Sequence, residues 1–599
     1  MPDAPIFRFM RSPATPPRLR SVSVAFAVLL GASAGFAQSG TILGGDVIAP
    51  DAPIFDLNVL LGADTIYNAG YGGFSTVIAN VEAGHVWKDH EVFTTLGQVT
   101  KFVDAAHASA LDSPEAPANP AANALGSVDL HATAVGHVLA GFGFYAHQYG
   151  IAYGATLWSG AIATSFEADG AFETDFTSLR VPYESFFTGN LTGLPRSADV
   201  INSSWGDSAD SAGTGAATVL TDALAAANPL TTFVVSAGNS GPDSGTVGGP
   251  GTGFNGITVG ALGGSGEASP YNRPASFTSR GPMDFYNPET DTVVTGVRAA
   301  VTLSAPGEDF AVAYYGGPEG SAPEPYSVEG PLPADFYILN VAGTSFSAPL
   351  VSSGVALLKD VAYNHVALSA NPNARDTRII KAVLMASAHR TQGWDNGQHL
   401  EGGVTRTTQS LDWTVGAGRM DLGHAFTVLT GATTDVAGLS GGAIGAQGWD
   451  FATVTLGASN DYTFTDALPA DVRLTIALTW FIERGFNSTL ADETSLSEIA
   501  FANLDLQIWL LDENGSFLTL VAESSSDYNN VEFLSYDLVT GGDYGVRVLF
   551  NEVIYDLTDA YDTTSYGLAW SVTAIPEPAA FTLWLAFSGL LLACHRRRR

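Results

Sequence analysis

Short apolar runs that end in small or polar residues recur along residues 76–303. The run at 76–81 precedes Glu82, and the run at 199–202 precedes Ser203-Ser204-Trp205-Gly206. Further runs of this kind lie at 154–162, 232–235, 256–262 and 300–303. Runs of this length that are rich in β-branched residues predict buried strands. Because helix-competent segments separate them, the pattern predicts an α/β fold: a mostly parallel sheet with helices on both faces.

Helical patterns follow several of these runs. His131 opens a small, apolar segment that is compatible with a helix, and Gly343-Thr344-Ser345 precedes an apolar run that continues to Leu358. Pro349 suits the first turn of that second helix, where its missing N–H costs nothing. Ser345 is therefore predicted at or beside a helix N-terminus, where backbone donors favour negative charge. Other helices are predicted at 216–226, 377–388 and 425–429.

After about residue 435, apolar and polar residues alternate. The clearest runs are 474–480, 504–510 and 544–550, and Asp512-Glu513-Asn514-Gly515 between two of them predicts a hairpin. The pattern predicts an all-β sandwich or jelly roll. Asp505, Asp512, Glu513 and Asn514 offer oxygen ligands for a structural Ca²⁺, but hairpin chemistry explains them equally well. Calcium therefore has no assigned position at this stage.

The two ends of the chain resemble targeting signals. Residues 1–37 contain arginines, then a short apolar run, then small residues, which is typical of a secretory signal peptide. Residues 575–599 contain Pro576-Glu577-Pro578, an apolar segment and four terminal arginines. This tail resembles the PEP-CTERM sorting signal of Gram-negative bacteria. The resemblance implies export to the cell surface, outer envelope or extracellular matrix, transient membrane contact, and an exosortase-type enzyme as a partner; a simple C-terminal anchor is the alternative.

Length and charge set limits on the protein's class. The 599 residues suffice for several domains, and we expect a mature N-terminal segment at 38–70, an α/β domain at 71–432 and a β domain at 433–574. The formal net charge of −35 disfavours binding to nucleic acid or to an anionic membrane. Cys594 is the one cysteine, so no disulfide can form within the chain.

Five short blocks carry candidate chemistry. In chain order they are Glu82, His131, Ser203-Ser204-Trp205-Gly206, Ala237-Gly238-Asn239 and Gly343-Thr344-Ser345. Together they resemble the subtilisin-like serine peptidases, the subtilase family, whose acid, histidine and serine follow in this order. Three further blocks that resemble the family are 275–282, 304–307 and 416–421.

The resemblance implies a role for each block. Ser345 would be the nucleophile and His131 the general base, with Glu82 orienting the imidazole. Asn239 would stabilise the oxyanion together with the backbone N–H of Ser345. The residues that would line the cleft and bind an extended protein or peptide substrate are Ser204, Trp205, Gly206, Ala237 and Gly238. The chemistry would require no cofactor.

Two residues depart from the family pattern. Glu82-Ala83-Gly84 stands where the family has Asp-small-Gly, and Ala132 follows His131 where glycine is usual. Glutamate can orient an imidazole, but a displacement of about 1 Å can cost ~10²-fold in rate. Glu82 as a purely structural acid at a strand end is the alternative, with Asp129 as the substitute partner of His131. The nearby His85 and His137 are expected to be solvated or structural.

Two functions remain in competition at this stage. The first is an exported serine endopeptidase that works through an acyl-enzyme. The second is a catalytically silent scaffold of the same fold, displayed on the surface for binding, which the departures at Glu82 and Ala132 would favour. Retention of Ser345, His131 and Asn239 together argues for the enzyme, because a scaffold does not need all three.

Overall fold

A computed structural model gives the fold of most of the chain. The residues it describes are 56–105, 128–142, 149–166, 172–187, 196–207, 210–264, 269–315, 327–328, 337–431, 441–490 and 492–575. The predicted signal peptide and all but the first residue of the predicted sorting signal lie outside these ranges. No helix within them combines the length and the apolar character needed to cross a bilayer.

Most of the longer helices begin at an acidic cap. The side chains of Asp129, Asp175, Asp376 and Asp421 each accept a hydrogen bond from a backbone N–H in the first turn of the helix that follows. The helices of the described residues are α1 Leu57–Leu60, α2 Ala63–Asn68, α3 Glu91–Thr94, α4 Leu130–Ala140, α5 Phe176–Ser185, α6 Ala216–Ala227, α7 Thr344–Asn364, α8 Thr377–Ser387 and α9 Leu422–Thr430, with 3₁₀ turns at Pro372–Arg375 and Glu493–Ser495.

The strands of the first part of the chain form one central sheet and several small ones. They are β1 Val77–Glu82, β2 Val99–Val103, β3 Thr156–Ala161, β4 Ser165–Phe166, β5 Phe172–Glu173, β6 Val200–Ser203, β7 Thr232–Ser236, β8 Ile257–Gly263, β9 Arg273–Pro274, β10 Met283–Asn287, β11 Thr292–Arg298, β12 Leu303–Pro306, β13 Phe310–Ala313, β14 Ser327–Val328 and β15 Tyr337–Val341.

The central sheet confirms the predicted α/β fold. Its strand order is β12-β8-β7-β6-β1-β3-β2, and every pairing along this path is parallel. Ile78 packs into a core with α4, α7 and α8, whereas its neighbour Ala79 packs into a second core with α5 and α6. Because successive strand residues face opposite sides, helices cover both faces of the sheet.

The strand predicted at 300–303 is wrong in position. The strand begins at Leu303 and continues to Pro306, where it pairs with β8. Ala300 and Val301 instead pack with Ala237 and Met283 in a small separate cluster. Burial against a loop and burial within a sheet leave the same apolar signal in the sequence, so the pattern could not separate them.

Strands were predicted after about residue 435, but a hairpin at 399–407, inside the predicted α/β domain, also joins the later sheet. The later part of the chain is built from these strands. They are β16 His399–Glu401, β17 Val404–Thr407, β18 Gly442–Ile444, β19 Gln447–Thr455, β20 Ser459–Phe464, β21 Val472–Trp480, β22 Glu483–Phe486, β23 Leu496–Leu511, β24 Phe517–Ser524, β25 Val531–Leu538, β26 Tyr544–Asp556 and β27 Thr563–Ala574. One sheet has the order β16-β17-β24-β23-β26-β20-β18, and the other has the order β19-β27-β21-β25.

These two sheets share one apolar core. Ile476 and Leu478 of β21 and Leu568 of β27 pack in the same cluster as Leu504 and Val546 of the other sheet. The predicted hairpin at 512–515 is present, since it joins the antiparallel pair β23 and β24. The jelly-roll order of the strands stays a prediction.

Buried polar contacts attach the β-rich region to the α/β region. Arg484 Nη1 donates to Asp222 Oδ2 of α6 at 2.9 Å, and both side chains are almost fully buried. The same guanidinium pairs with Glu498 at 2.8 Å. Asn530 Nδ2 donates to the carbonyl of Phe254 at 2.9 Å. The two regions therefore share charges and hydrogen bonds that water does not reach.

We expect the Arg484→Met variant to lose about 3–5 kcal/mol of unfolding free energy, because it leaves Asp222 buried without its cation. The matched control is Arg473→Met, which removes an exposed pair with Asp537. Exposed pairs contribute at most about 1 kcal/mol. Urea unfolding of both variants measures the loss of unfolding free energy. Equal losses would mean that the buried pair stabilises the protein no more than an exposed pair does.

Candidate active site

The central sheet brings Glu82 and Ser204 together. Glu82 ends β1, Ser204 directly follows the neighbouring strand β6, and both are buried. The backbone N–H of Ser204 donates to Glu82 Oε1 at 2.9 Å. Polar groups at the carboxyl ends of adjacent parallel strands meet at one edge of the sheet, which is where sites form in such folds.

The imidazole of His131 contacts the second oxygen of the same carboxylate. His131 Nδ1 lies 3.1 Å from Glu82 Oε2, and both side chains are buried. His131 stands in the first turn of α4, whose cap Asp129 accepts from the N–H of Ala132 at 2.9 Å. Asp129, the substitute partner considered from the sequence, thus caps the helix. The structure places Glu82 at the imidazole in spite of its extra methylene group.

The alanine that follows His131 lies in the core. Ala132 is fully buried in the apolar core that α4 shares with α7. Its carbonyl accepts from Asn80 Nδ2 at 3.2 Å, which ties α4 to the middle of β1. The residue that follows His131 is therefore part of the packing that holds the helix against the sheet.

Ser345 lies in the first turn of α7. Its Oγ donates to the carbonyl of Ser204 at 3.1 Å, and the residue is 6% exposed. The ring of the next residue, Phe346, lies 6.2 Å from the imidazole of His131, centre to centre. Serine, imidazole and carboxylate thus gather around Ser204.

The prediction that Pro349 occupies the first turn of this helix is wrong. The helix begins at Thr344, which places Pro349 in the second turn. Thr344 can start the helix because its N–H donates to Asn239 Oδ1 at 2.9 Å, so the first turn is capped from a distant loop. A proline in the second turn leaves the carbonyl of Ser345 without the usual bond from residue 349.

Asn239 is held in one orientation by Thr344. Its Oδ1 accepts from the backbone N–H and from the hydroxyl of Thr344, each at 2.9 Å. The amide Nδ2 therefore faces away from Thr344 N. It lies beside Gly343, 3.5 Å from the position that a Cβ on Gly343 would occupy. Gly238 has a φ of +104°, and a Cβ there would approach Ser279 Oγ to 2.9 Å. Only glycine fits that turn.

An open cleft runs beside Ser345. Every residue predicted from the resemblance to bind substrate lines it, namely Ser204, Trp205, Gly206, Ala237 and Gly238. The Trp205 side chain itself is buried, and its indole N–H donates to the carbonyl of Val81 at 3.1 Å. Asp207 adds a negative charge to a lining that is otherwise neutral.

The other nearby histidines are structural. His85 is buried between Ser159 Oγ and Asp104 Oδ2, each 3.1 Å from one ring nitrogen. His137 Nδ1 accepts from the backbone N–H of Ala313 at 2.9 Å. Of the two outcomes expected for these side chains, solvated or structural, the structure has the second.

The charge of Glu82 alters the titration of His131. Burial alone would lower the pKa of the imidazole, but the hydrogen bond and charge of Glu82, with the charge of Asp129, raise that pKa above its usual value. Burial also raises the pKa of Glu82, although the hydrogen bonds from His131 and Ser204 act to lower it. The pair therefore favours a protonated imidazole more than a free histidine does.

Sequence reasoning missed the polar residues beneath the site. Asn202 Nδ2 donates to Asn80 Oδ1 and to Ser204 Oγ, both at 3.0 Å, and Asn202 Oδ1 accepts from Ser352 Oγ at 2.8 Å. Asn80 and Asn202 lie inside predicted strands, and Ser352 lies inside a predicted helix. A polar residue in such an apolar run indicates a buried side chain that needs a hydrogen-bond partner, so the sequence did contain a signal for this network. The serine block also contains Thr344, but nothing in the sequence predicts its contacts with Asn239.

The described ranges contain no group of three or more His, Cys, Asp or Glu side chains arranged to hold a metal ion.

Comparison with known proteins identifies one family. Residues 53–418 match the family model described as the subtilase family. The match spans more than half of the chain and includes every residue of the site described above. No curated protein matches the chain.

We expect His131 to titrate above the ordinary imidazole pKa of about 6.5, and its pKa to fall in Glu82→Gln, because a neutral amide cannot stabilise imidazolium. Histidine NMR signals of the full chain, followed across pH, measure this. His389 is the internal control: burial and Arg419 lower its pKa, and the substitution should leave it unchanged. An unchanged His131 in the variant would mean that Glu82 does not govern the imidazole.

Proposed function

The chain belongs to the subtilase family and is a serine-type peptidase; we propose that it is an endopeptidase whose catalytic residues are Ser345, His131 and Glu82. The observation that carries this assignment is the 3.1 Å contact between Glu82 Oε2 and His131 Nδ1. Ser204 links this pair to Ser345, because its N–H donates to Glu82 and its carbonyl accepts from the Ser345 hydroxyl. An acid, an imidazole and a hydroxyl from three separate elements are the parts that acyl transfer needs.

Ser345 would attack the peptide carbonyl. Its hydroxyl donates to the carbonyl of Ser204 at 3.1 Å in the free protein, so it would rotate toward His131 when substrate binds. His131 would take the hydroxyl proton as the Ser345 Oγ–carbon bond forms, and would return it to the leaving amine as the peptide bond breaks. Water would then release the acid product by the same steps.

Glu82 would orient the imidazole and stabilise its protonated form. The Ser204 N–H fixes one carboxylate oxygen, so the other is held toward His131 Nδ1. This bond keeps the second ring nitrogen of His131 as the proton acceptor. A fixed carboxylate close to imidazolium lowers the energy of the charged transition state without reorganisation at the moment of reaction.

The oxyanion would be stabilised by Asn239 and by the first turn of α7. The bonds from Thr344 to Asn239 Oδ1 leave the Nδ2 donors on the side of the amide away from Thr344 N. The backbone N–H of Ser345 lies in the first helical turn, where such donors have no partner within the helix. Together these donors would favour the negative charge that develops on the substrate oxygen.

The substrate would be an extended segment of protein. The backbone groups at 204–206 and 237–238 line the open cleft, and an extended peptide can pair with such groups by main-chain hydrogen bonds. The cleft is open to solvent, which suits cleavage within a chain. No cofactor takes part in this chemistry.

The ends of the sequence support export. The predicted signal peptide at 1–37 and the resemblance of 575–599 to a PEP-CTERM tail are the basis of this proposal. The enzyme would act at the cell surface, outer envelope or extracellular matrix of a Gram-negative bacterium, after transient membrane contact and processing by an exosortase-type enzyme. The alternative, a silent surface scaffold, was favoured by Glu82 and Ala132. The Glu82–His131 contact supports the enzyme, and Ala132 packs in the apolar core.

A fluorophosphonate probe should label the full chain at Ser345, and Ser345→Ala should abolish the labelling, because the probe reacts with an activated serine. The matched control is Ser240→Ala, a serine in the lining of the same cleft, which should label normally. Mass spectrometry of the labelled peptide identifies the site. A folded wild-type chain that does not react would favour the silent scaffold.

Glu82→Asp should lower kcat/KM for a peptide substrate by about 10²-fold, because shortening the side chain withdraws the carboxylate from His131 by more than ~1 Å on an unchanged backbone. Glu82→Gln keeps the length and loses the charge, so it serves as the comparison. Circular dichroism establishes that both variants fold. An aspartate variant as fast as the parent would mean that the turn at 82–84 adjusts to either acid.

A further inference from the structure

A polar patch lies on the face of the central sheet beneath the site. It consists of buried side chains at alternate positions along β1 and along β6 with the residue that follows it, namely Asn80, Glu82, Asn202 and Ser204. The residues that precede them on this face, Ile78 and Val200, pack in the apolar core with α4 and α7. The face therefore changes from apolar to polar toward the carboxyl ends of the two strands.

Asn202 stands at the centre of the polar patch. Its Nδ2 donates to Asn80 Oδ1 and to Ser204 Oγ, both at 3.0 Å, and lies 3.4 Å from Glu82 Oε1. The reverse orientation of the amide would turn its oxygen toward Asn80 Oδ1 and the carboxylate, which have no hydrogen to offer. These neighbours therefore fix which end of the Asn202 amide faces the acid.

Hydrogen bonds connect the polar patch to the helices of Ser345 and His131. Ser352 Oγ donates to Asn202 Oδ1 at 2.8 Å, and Ser352 lies on α7 about two helical turns after Ser345, on the same face. On the other side, Asn80 Nδ2 donates at 3.2 Å to the carbonyl of the residue that follows His131. A chain of hydrogen bonds thus joins α7 to α4 through β6 and β1.

We propose that Asn202 is a positioning residue for the peptidase reaction. It restrains the acid directly at Glu82 Oε1 and indirectly through Ser204, and it sets the separation of α7 and α4 through the chain of hydrogen bonds. The inference rests on the proposed function, because it concerns the reaction of Ser345 with His131. Its effect on that reaction is transmitted through Glu82 and Ser204.

The length of Glu82 gives this restraint its purpose. Glutamate has one more rotatable side-chain bond than aspartate, so its carboxylate loses more conformational freedom when it is held in one place. The N–H of Ser204 fixes the distance to Oε1 at 2.9 Å, and the amide of Asn202 meets the same oxygen from the adjacent strand. Two donor groups on Oε1 restrain its direction as well as its distance, which leaves Oε2 facing His131 Nδ1.

Ser204 transmits the position of Asn202 to the nucleophile as well. The Ser204 side chain accepts from Asn202, its N–H donates to Glu82, and its carbonyl accepts from Ser345 Oγ. A shift of Ser204 would therefore move the acid and the nucleophile at the same time. Loss of the Asn202 amide would free Ser204 Oγ and Asn80 Oδ1 from their shared donor, and both lie where water does not reach.

The next residue of α7 is a matched control for Ser352. Ser353 is equally buried, and its Oγ donates to the carbonyl of Leu139 in α4 at 2.8 Å. It therefore connects the same two helices without contacting the polar patch. Substitution of either serine by alanine removes a buried hydroxyl from the same helix, so loss of stability alone would affect the two variants alike.

The test measures kcat and KM of the full chain on a peptide substrate, after circular dichroism has established that each variant is folded. Asn202→Ala should lower kcat about 10²-fold and Ser352→Ala about tenfold, with a much smaller change of KM, because the reacting groups are displaced by a fraction of an ångström to about 1 Å. Ser353→Ala should keep kcat within about twofold of the parent, since its bonds lie outside the polar patch.

A double-mutant cycle separates action through Glu82 from general weakening. In a Glu82→Gln background, where the charge of the acid is already lost, Asn202→Ala should lower kcat by less than about threefold further, because residues that act as a unit give non-additive losses. Ser353→Ala should have the same small effect in both backgrounds.

Two outcomes would overturn the inference: an Asn202→Ala variant with the kcat of the parent, or losses from Asn202→Ala and Glu82→Gln that simply multiply. Should Asn202→Ala fail to fold, Ser352→Ala decides alone, and a kcat equal to that of Ser353→Ala would contradict the role of Asn202. A parent that neither cleaves peptide nor reacts with a fluorophosphonate would contradict the proposed function, and this inference with it. An active parent with either of the first two outcomes contradicts the role of Asn202 alone.

Discussion

A carboxylate buried at the end of β1 imposes the arrangement of the whole site. Glu82 is removed from water, and a buried charge is tolerated only where donors meet it. Its two oxygens face donors from different elements: the N–H that follows β6 and the imidazole carried by α4. Satisfying one acid therefore fixes two strands and a helix relative to each other. Ser204, which donates to that acid, also accepts the hydroxyl of Ser345, so the nucleophile is placed by the same constraint.

Loops from other strand ends complete the site around the start of α7. The N–H of Gly343 donates to the carbonyl of Gly307, which follows β12, at 2.8 Å. Ser347 Oγ donates to the carbonyl of Pro306 at 2.9 Å. Asn239, which follows β7, caps the same helix through Thr344. The first turn of α7 is thus the place where segments far apart in sequence are joined, and its rigidity comes from those partners rather than from helix propensity.

The sequence predicted the parts that leave a local signal. Apolar runs located the strands of the central sheet, and small-residue turns located the blocks that contain Glu82, Asn239 and Ser345. The sequence could not predict the hydrogen bonds between blocks, such as Ser345 Oγ to Ser204 or Thr344 to Asn239. A contact between residues so far apart in the chain leaves no periodic pattern of apolar and polar residues. The same limit explains the strand misplaced at 300–303 and the turn misassigned to Pro349. In both cases the deciding partner lies in another part of the chain.

The shared interface has a consequence for how the protein comes apart. Arg484 and Asn530 bond to groups of the α/β region, and the ring of Tyr528 packs on Phe285. If the two regions separated, these buried groups would be exposed to water. Cleavage of the segment that links the two regions would therefore not yield two independently stable domains, because each would expose an apolar and partly charged interface. Loss of either region would leave buried polar groups of the other, such as Asp222, without their partners.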